Sequence, residues 1–573
     1  MTGKQSAKAL LLAGGITTLA GQAMAQSSTT VATWIQEGPG SSAAALQSGS
    51  YGDQPTSTTP TILARAIITN AVASGLTCPA VLFDHARPVE MKLRFMGSQL
   101  TNTPGTPGAT NDKTGYPQYF VSSTATAPAN FPNGTPMATT SWGECEAVVP
   151  AGHKVATIDG VDMKLPVAHP RRILIMADTG CRMNGALAAN GSNQQNCADP
   201  TAFPWAYLSS YEATFKPDLI LQVGDWFYRD TNCLSSGVET FPGCNTPTSP
   251  NYEPWGDIFD SWNADVFFPA KTLLATAPWI MARGNHESCG RGARGWYALL
   301  DPRPFNINNV ICAKTSTYPL PGPTSATYTG DFEPTYVVPA NGVNFLVHDS
   351  SFANDSVVDP NMAANYDVDL SNLLAVLGPN SMNIFATHKP TFGLSYGSAP
   401  DGCTVGKADD AGDFTEQSVF AGGTGYTASA FANGVPSNIG LFVSGHVHQF
   451  QYFNFGKGAA QNATLAPQLI VGVGSSLLDP DCITGNVPAG NVDMAAFKQH
   501  QFPFEINESG GVVAAQNAST YSHDEFGFAI LDAETDKTTG VTTGYKASIY
   551  KISSAMAGEC KITLNPRSIK CNF

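Results

Sequence analysis

The chain has 573 residues, a formal net charge of -15 and a charged fraction of 13%. This length allows a large hydrophobic core and more than one domain. The acidic balance and the absence of a basic run argue against a nucleic-acid-binding surface, so any attraction for an anionic substrate must come from the functional site itself. The low charged fraction, with 55 Gly and 40 Pro, predicts long loops on a compact scaffold.

The first 25 residues have the pattern of a secretory signal peptide. Lys4 and Lys8 precede an apolar run at 9–20, and the small residues 23–25 resemble a cleavage site. The run is too short to cross a membrane, and no later stretch reaches the ~18 apolar residues that a membrane helix needs. We therefore expect cleavage near Ala25 and a secreted or periplasmic protein without a membrane span.

All twelve cysteines lie beyond this leader. An even number in an exported chain favours disulfides over thiolate metal sites. Connectivity does not follow from sequence, and nearest-neighbour pairing is one hypothesis. It pairs Cys78 with Cys145, Cys181 with Cys197, Cys233 with Cys244, Cys289 with Cys312, Cys403 with Cys482, and Cys560 with Cys571.

Residues 26–168 are predicted to form a smaller all-β domain. Residues 89–96 alternate apolar and charged side chains, as a half-buried strand does. The proline-rich stretch 166–170 marks the proposed boundary, and residues 97–135 have the composition of a long loop.

Residues 169–573 are predicted to form an α/β layered domain, because apolar strands alternate with helix-compatible segments such as 204–215 and 261–277. Two further strands are predicted at 526–531 and 545–552. The Gly-, Ala- and Ser-rich stretch 389–437 is either a loop over the functional site or a surface insertion.

Five apolar runs in this second region end in side chains that can bind a metal. The run 218–223, for example, leads through Gly224 to Asp225 and then Tyr228. Because open α/β folds collect their chemistry at the carboxyl ends of strands, we expect these side chains to converge. The five runs deliver, in order, Asp178; Asp225 with Tyr228; Asn285 with His286; His388; and His446 with His448.

The candidate ligands are carboxylate and other oxygens and imidazole nitrogens, with no sulfur. Such a set suits Fe, Mn, Zn or a mixed pair of these ions. Two ions about 3.5 to 4 Å apart can share one carboxylate, polarise a phosphoryl group and generate hydroxide at neutral pH. Asp225, at the end of its strand, is the natural bridge.

Five short sequence blocks carry a family resemblance. They are Asp178-Thr-Gly180, Gly224-Asp225-x-x-Tyr228, Gly284-Asn285-His286-Glu287, Ala386-Thr387-His388 and Gly445-His446-Val447-His448. Their residues and order resemble the calcineurin-like metallophosphoesterases, and within them the purple acid phosphatases. The resemblance covers about half of the chain and implies a layered metallophosphoesterase β-sandwich flanked by helices. It also implies one metal bound by Asp178, Asp225, Tyr228 and His448, a second bound by Asp225, Asn285, His388 and His446, and His286 near the leaving group.

Tyr228 decides which branch of the superfamily the chain resembles. Many members have a His where this chain has Gly180, and the purple acid branch has a Tyr at the place of Tyr228 instead. That branch usually has Gly-Asp in the first block, whereas this chain has Ala177-Asp178. The resemblance implies Fe(III) at the tyrosine-containing site, paired with Fe(II), Zn(II) or Mn(II).

The sequence therefore predicts an exported binuclear phosphatase that hydrolyses small phosphate monoesters by attack of a metal-bound hydroxide. A phosphodiesterase or nucleotidase of the same superfamily and a non-catalytic metal- or phosphate-binding surface protein are the alternatives. His286 and Tyr228 also have structural interpretations, as a packed histidine and a core aromatic. His348 and His523 match no block and are predicted to be structural.

Overall fold

The computed structural model describes part of the chain in a series of ranges. These are residues 28–40, 57–70, 75–96, 141–183, 194–229, 253–254, 257, 259–288, 291–305, 317–319, 327–329, 332–353, 358–391, 393–395, 409–410, 413–420, 434–453, 466–478, 516–517, 525–553 and 555–572.

The described residues form 26 strands. In chain order they are Thr29–Gly40 (β1), Ser57–Asn70 (β2), Ala80–Phe83 (β3), Pro88–Glu90 (β4), Lys92–Met96 (β5), Ser141–Val148 (β6), Val155–Ile158 (β7), Val161–Lys164 (β8), Arg172–Met176 (β9), Leu219–Val223 (β10), Trp279–Ala282 (β11), Thr317–Pro319 (β12), Thr327–Thr329 (β13), Tyr336–Ala340 (β14), Val343–His348 (β15), Met382–Thr387 (β16), Leu394–Ser395 (β17), Asp409–Asp410 (β18), Ile439–Ser444 (β19), Phe450–Phe453 (β20), Gln468–Val471 (β21), Gln516–Asn517 (β22), Gly527–Thr535 (β23), Thr542–Lys551 (β24), Met556–Thr563 (β25) and Ser568–Asn572 (β26).

Helices are fewer and mostly short. The α-helices are Trp205–Thr214 (α1), Phe259–Trp262 (α2), Lys271–Leu274 (α3), Ala293–Gly295 (α4), Pro360–Leu377 (α5) and Phe414–Phe420 (α6). Single π-helical turns occupy Asn263–Phe267 and Trp296–Leu300, and a single 3₁₀ turn occupies Asn285–Glu287. The helix α1 lies in the predicted stretch 204–215, and α2, the turn Asn263–Phe267 and α3 together account for most of the stretch 261–277.

Two large sheets pack face to face. The larger has the order β26-β25-β24-β23-β9-β10-β11-β1-β2-β6-β5, and the smaller has the order β14-β15-β16-β19-β21-β20-β22. Strands β9, β10 and β11 are parallel to one another, as are β15, β16, β19 and β21. Buried side chains of both sheets, such as Leu221 and Phe345, share one core cluster. The predicted layered sandwich with flanking helices is confirmed.

The N-terminal region is all-β, as predicted. Its strands β3, β4, β7 and β8 form a four-stranded sheet, while β1, β2, β5 and β6 extend the larger sheet. The extension is possible because β1 pairs in parallel with β11, with Gln36 opposite Trp279. Trp34 is fully buried against Phe267, with ring centroids 5.6 Å apart. A domain division at residue 168 stays a prediction, and the sheet runs across it.

Three of the predicted disulfides lie in the described part of the chain, and all three are formed. They join Cys78 to Cys145, Cys181 to Cys197, and Cys560 to Cys571. The other three predicted pairs include residues outside the described ranges, as do the leader and residues 97–135. The two predicted C-terminal strands are present as β23 and β24. No described helix is long and apolar enough to cross a membrane.

Candidate metal centre

The predicted ligands converge because five parallel strands end at the same edge of the sandwich. Asp178, Asp225 and Asn285 follow β9, β10 and β11 of the larger sheet. His388 and His446 follow β16 and β19 of the smaller sheet. The two sheets thus face each other across the centre, and the distances below bring together all eight residues that the sequence predicted for it.

The first group of side chains surrounds the hydroxyl of Tyr228. This oxygen lies 2.7 Å from Asp178 Oδ1, 2.7 Å from Asp225 Oδ2 and 2.7 Å from His448 Nε2. All four side chains are buried. Burial and the two carboxylates raise the pKa of Tyr228 well above its usual range, so ionisation of this phenol requires a strongly polarising cation.

The second group shares Asp225 with the first. His388 Nε2 lies 2.9 Å from Asn285 Oδ1 and 3.1 Å from Asp225 Oδ2. The ligand atoms of Asp225, His388 and His446 all lie within 4.8 Å of one another. Burial lowers the pKa of His388, but the carboxylate of Asp225 outweighs it and raises that pKa to about 9. The site therefore attracts positive charge.

Backbone carbonyls orient two of the imidazoles. His388 Nδ1 donates to the carbonyl of Val223 at 2.8 Å, and His448 Nδ1 donates to the carbonyl of Leu477. Because a carbonyl can only accept, each Nδ1 carries a proton and each Nε2 faces the carboxylates. Metal-binding histidines in proteins are usually held in this way.

Three of the candidate ligands have a left-handed backbone. The φ angles are 58° at Asp178, 57° at Asp225 and 71° at His446. This region is costly for residues other than glycine and is concentrated at functional sites. Main-chain bonds hold the turns: Asp178 N donates to Gly224 O at 3.1 Å, and Thr179 N donates to Asp225 O at 3.0 Å.

The loop that carries Tyr228 packs directly on Gly180. A Cβ atom on Gly180 would lie 2.8 Å from both the carbonyl oxygen of Trp226 and the amide nitrogen of Tyr228. Asp265, which is fully buried, accepts from Tyr228 N at 3.1 Å and pairs with Arg229 Nε at 2.6 Å. The tyrosine thus approaches the centre across a position that has no room for a side chain.

Glu287 holds the turn that carries Asp225, a role that the sequence did not reveal. Its carboxylate accepts hydrogen bonds from the amides of Gly284 at 2.8 Å and Asp225 at 3.0 Å. It also accepts from the amides of the two residues after Asp225, Trp226 at 2.8 Å and Phe227 at 2.9 Å. The one available signal was an acidic residue directly after His286, within a block of ligands.

A second supporting segment, residues 472–478, was also missed. The amides of Ser475 and Ser476 both donate to the carbonyl of Asp178 at 2.9 Å. The sequence does contain a signal for this segment. Like the five apolar runs that end in candidate ligands, the apolar strand β21 leads into a short segment, Gly472-Val-Gly474-Ser-Ser.

His286 lies beside both ligand groups. Its amide donates to Asp225 Oδ1 at 2.9 Å, and its half-buried ring lies on the ring of Tyr228 with centroids 3.8 Å apart. His348 instead contacts Thr335 Oγ1 at 2.8 Å and Glu416 at 3.7 Å inside the core, which fits its structural interpretation. His523 lies outside the described residues.

The charges and donor types of the centre fit metal ions. Asp178 and Asp225 are 0% and 1% exposed. Within the described residues, their ion-pair partners are histidines, and neither pairs with a Lys or Arg. Buried carboxylates need cations or metals, and oxygen and imidazole donors suit hard or borderline ions.

Comparisons with known proteins are consistent with this chemistry. Residues 171–450, which include all five blocks, match the family described as calcineurin-like phosphoesterase. Such enzymes use a dimetal centre. Among curated proteins, none matches the chain by sequence.

Three solved structures resemble the chain weakly. A purple acid phosphatase from yellow lupin (Lupinus luteus) seeds is 12% identical, with 94% of this chain and 74% of that chain covered and a TM-score of 0.42. PhoD is 9% identical, with 95% and 92% covered and a TM-score of 0.41. A dimetal phosphatase from Danio rerio is 10% identical, with 69% and 99% covered and a TM-score of 0.31. Likenesses at these scores carry no argument about function.

Proposed function

We propose that this hydrolase, whose residues 171–450 match the calcineurin-like phosphoesterase family, is an exported phosphatase acting on phosphate monoesters with two metal ions. One observation carries the proposal. The hydroxyl of Tyr228 lies 2.7 Å from donor atoms of Asp178, Asp225 and His448, beside a second group that shares Asp225. Two adjoining donor groups with one common carboxylate suit a pair of ions.

The first ion is assigned to Asp178, Asp225, Tyr228 and His448, and the second to Asp225, Asn285, His388 and His446. Asp225 Oδ2 supports this division, because it lies 2.7 Å from the Tyr228 hydroxyl and 3.1 Å from His388 Nε2. When bound, the ions polarise the phosphoryl group and acidify water enough to supply the attacking oxygen at neutral pH.

The remaining work belongs to side chains of the chain itself. His286 is the candidate to donate a proton to the leaving oxygen, since its half-buried ring packs on Tyr228 and its amide donates to Asp225, which both groups share. Glu287 keeps the Asp225 turn in place through its four amide contacts. Asn285 and His446 are also half-buried, so the second group is the side from which a small phosphate ester approaches.

Tyr228 favours iron in the first position. A phenol has an unperturbed pKa near 10, and burial next to two carboxylates raises the pKa of Tyr228 further. A trivalent ion offsets this more effectively than a divalent one. We therefore assign Fe(III) to the first group and Fe(II), Zn(II) or Mn(II) to the second.

Assays of the purified protein with an aryl phosphate monoester and a bis-aryl diester test the proposal, with metal content measured on the same sample. Faster turnover of the monoester by protein with two bound metals is the expected result. Preference for the diester would assign phosphodiesterase activity instead. Bound metal with no turnover of either substrate would indicate a metal-binding surface protein.

A further inference from the structure

Gln195 lies outside the ligand set, yet it joins two segments that flank the first ligand group. It is buried, with 4% of its surface exposed. Its Oε1 accepts from the amide of Arg182 at 2.9 Å, and its Nε2 donates to the carbonyl of Ser475 at 2.6 Å. Its amide also donates to the carbonyl of Arg182 at 2.9 Å. The side chain therefore ties the segment after Asp178 to the segment after β21.

The segment that Gln195 holds on the β21 side supports two ligands at once. The amides of Ser475 and Ser476 fix the carbonyl of Asp178. The carbonyl of Leu477, the next residue, accepts from His448 Nδ1 and so sets the direction of that imidazole. A shift of residues 475–477 would therefore displace the backbone of one ligand and rotate the ring of another.

A disulfide fixes Gln195 from the other side. Cys181, three residues after Asp178, is bonded to Cys197, two residues after Gln195, with their Cα atoms 5.7 Å apart. Cys181 is fully buried. Because Cys181 is next to Arg182 and Cys197 is close to Gln195, the crosslink restrains Gln195 beside Arg182.

We propose that Gln195, held by the Cys181–Cys197 disulfide, is a positioning residue for the first metal. An amide suits this role because it accepts from Arg182 and donates to Ser475 with one side chain, which no carboxylate or apolar group can do. Supporting contacts of this kind typically change metal affinity by about 10- to 100-fold. The inference rests on the proposed function in that metal must bind at Asp178 and His448.

The test uses the full-length metal-loaded protein and the variant Gln195→Met, which keeps the length of the side chain and removes all three of its hydrogen bonds, to Arg182, Ser475 and the carbonyl of Ala202. Release of each metal to an excess of chelator is followed by metal analysis, and the tyrosinate band is followed where iron is present. We expect release of the first metal to accelerate about 10- to 100-fold, with the second metal unchanged.

Gln36→Met is the matched control. Gln36 is also a buried glutamine, whose Oε1 accepts from Arg65 Nη1 at 2.7 Å and whose Nε2 donates to the carbonyl of Leu300, but it contacts no candidate ligand. Its replacement should lower the free energy of unfolding without changing metal release. Equal acceleration in both variants would show that general loosening, not positioning, controls the site.

The disulfide gives a second, independent variant. We expect Cys181→Ala/Cys197→Ala to release the first metal faster, and Cys560→Ala/Cys571→Ala, which removes a crosslink between the edge strand β26 and its neighbour β25, to release it at the wild-type rate. If Gln195→Met does not fold, this pair still decides the question. Wild-type rates in both Gln195→Met and the Cys181 variant would overturn the inference alone. Wild-type protein that binds no metal would overturn the proposed function and the inference together.

Discussion

The two ligand groups of the metal centre meet at Asp225 but differ in how their other members are held. Asp178, Tyr228 and His448 are at most 5% exposed. Asn285 and His446, in the second group, are half-buried. The first group is braced from three directions: by Asp265 under the Tyr228 loop, by residues 475–477, and by the disulfide next to Gln195. His388, the remaining member of the second group, is buried like the members of the first.

The two ligand groups show that one strand topology can build two unlike sites. Both groups arise from the same device, a parallel strand that ends in a tight turn. On one side the side chains are buried and the loops around them are held by hydrogen bonds, which suits an ion that stays bound. The less enclosed side suits an ion that meets substrate and solvent. Changing one group at a time tests the difference between the two sites.

Replacing the shared ligand should have the largest effect, because Asp225 belongs to both groups. We expect Asp225→Ala to lower kcat/KM by on the order of 10⁴-fold or more and to deplete both metals. Metal content and monoester turnover measure this. Asp532→Ala, at a half-exposed carboxylate paired with Arg172, is the control. Two metals retained by Asp225→Ala would refute the bridge.

A change confined to the first group should remove the visible absorption of the protein while leaving its fold intact. We expect Tyr228→Phe to abolish the visible tyrosinate band and to lower activity on the order of 100-fold, while the ring still packs on His286. Tyr336→Phe, at a buried tyrosine that donates to Met281 at 2.7 Å, should keep the band. A colourless, fully active protein with divalent metal alone, unaffected by Tyr228→Phe, would make Tyr228 a packing residue.

Loss of the proposed general acid should depend on the leaving group. For alkyl phosphates, whose leaving oxygen needs a proton, we expect His286→Ala to reduce kcat by about 10²- to 10⁴-fold. For activated aryl phosphates the reduction should be much smaller. His153→Ala, at a partly exposed histidine paired with Asp84, serves as the control. Equal slowing of both substrates would point to phosphate positioning instead.

Chelation should distinguish the two groups without any substitution. We expect a divalent-metal chelator to remove the second ion at least about tenfold faster than the first, because two of its ligands, Asn285 and His446, are only half-buried. Stopped samples analysed for both metals report the order of release. Simultaneous loss of both ions would contradict the difference between the groups.

The convergence of the candidate ligands could be predicted from the sequence because most of them directly follow a strand. Asp178, Asp225, His388 and His446 each follow an apolar run, so strand order and parallel pairing suffice to bring them together. Tyr228 follows only three residues after Asp225. Most of the candidate ligands could therefore be predicted from spacing within short segments of the sequence.

The supporting residues could not be predicted in the same way. Gln195 and Ser475 are 280 positions apart, and Glu287 binds backbone amides, which every residue type offers. No side-chain pattern marks such contacts. The same reason hid the pairing of β1 with β11, since Gln36 and Trp279 lie far apart in the chain. The three observed disulfides could be predicted by nearest-neighbour pairing because each joins two consecutive cysteines of the chain, which the fold keeps adjacent.

The contact at Gly180 constrains how such a centre could change its ligand type. A Cβ there would lie 2.9 Å from Asp265 Oδ2 and closer still to two backbone atoms of the Tyr228 loop. A histidine at this position and the present path of the tyrosine loop therefore exclude each other. Gaining the histidine first would push the tyrosine away, and losing the tyrosine first would leave the site a ligand short. Exchange of one ligand type for the other therefore requires residue 180 and the tyrosine loop to change together.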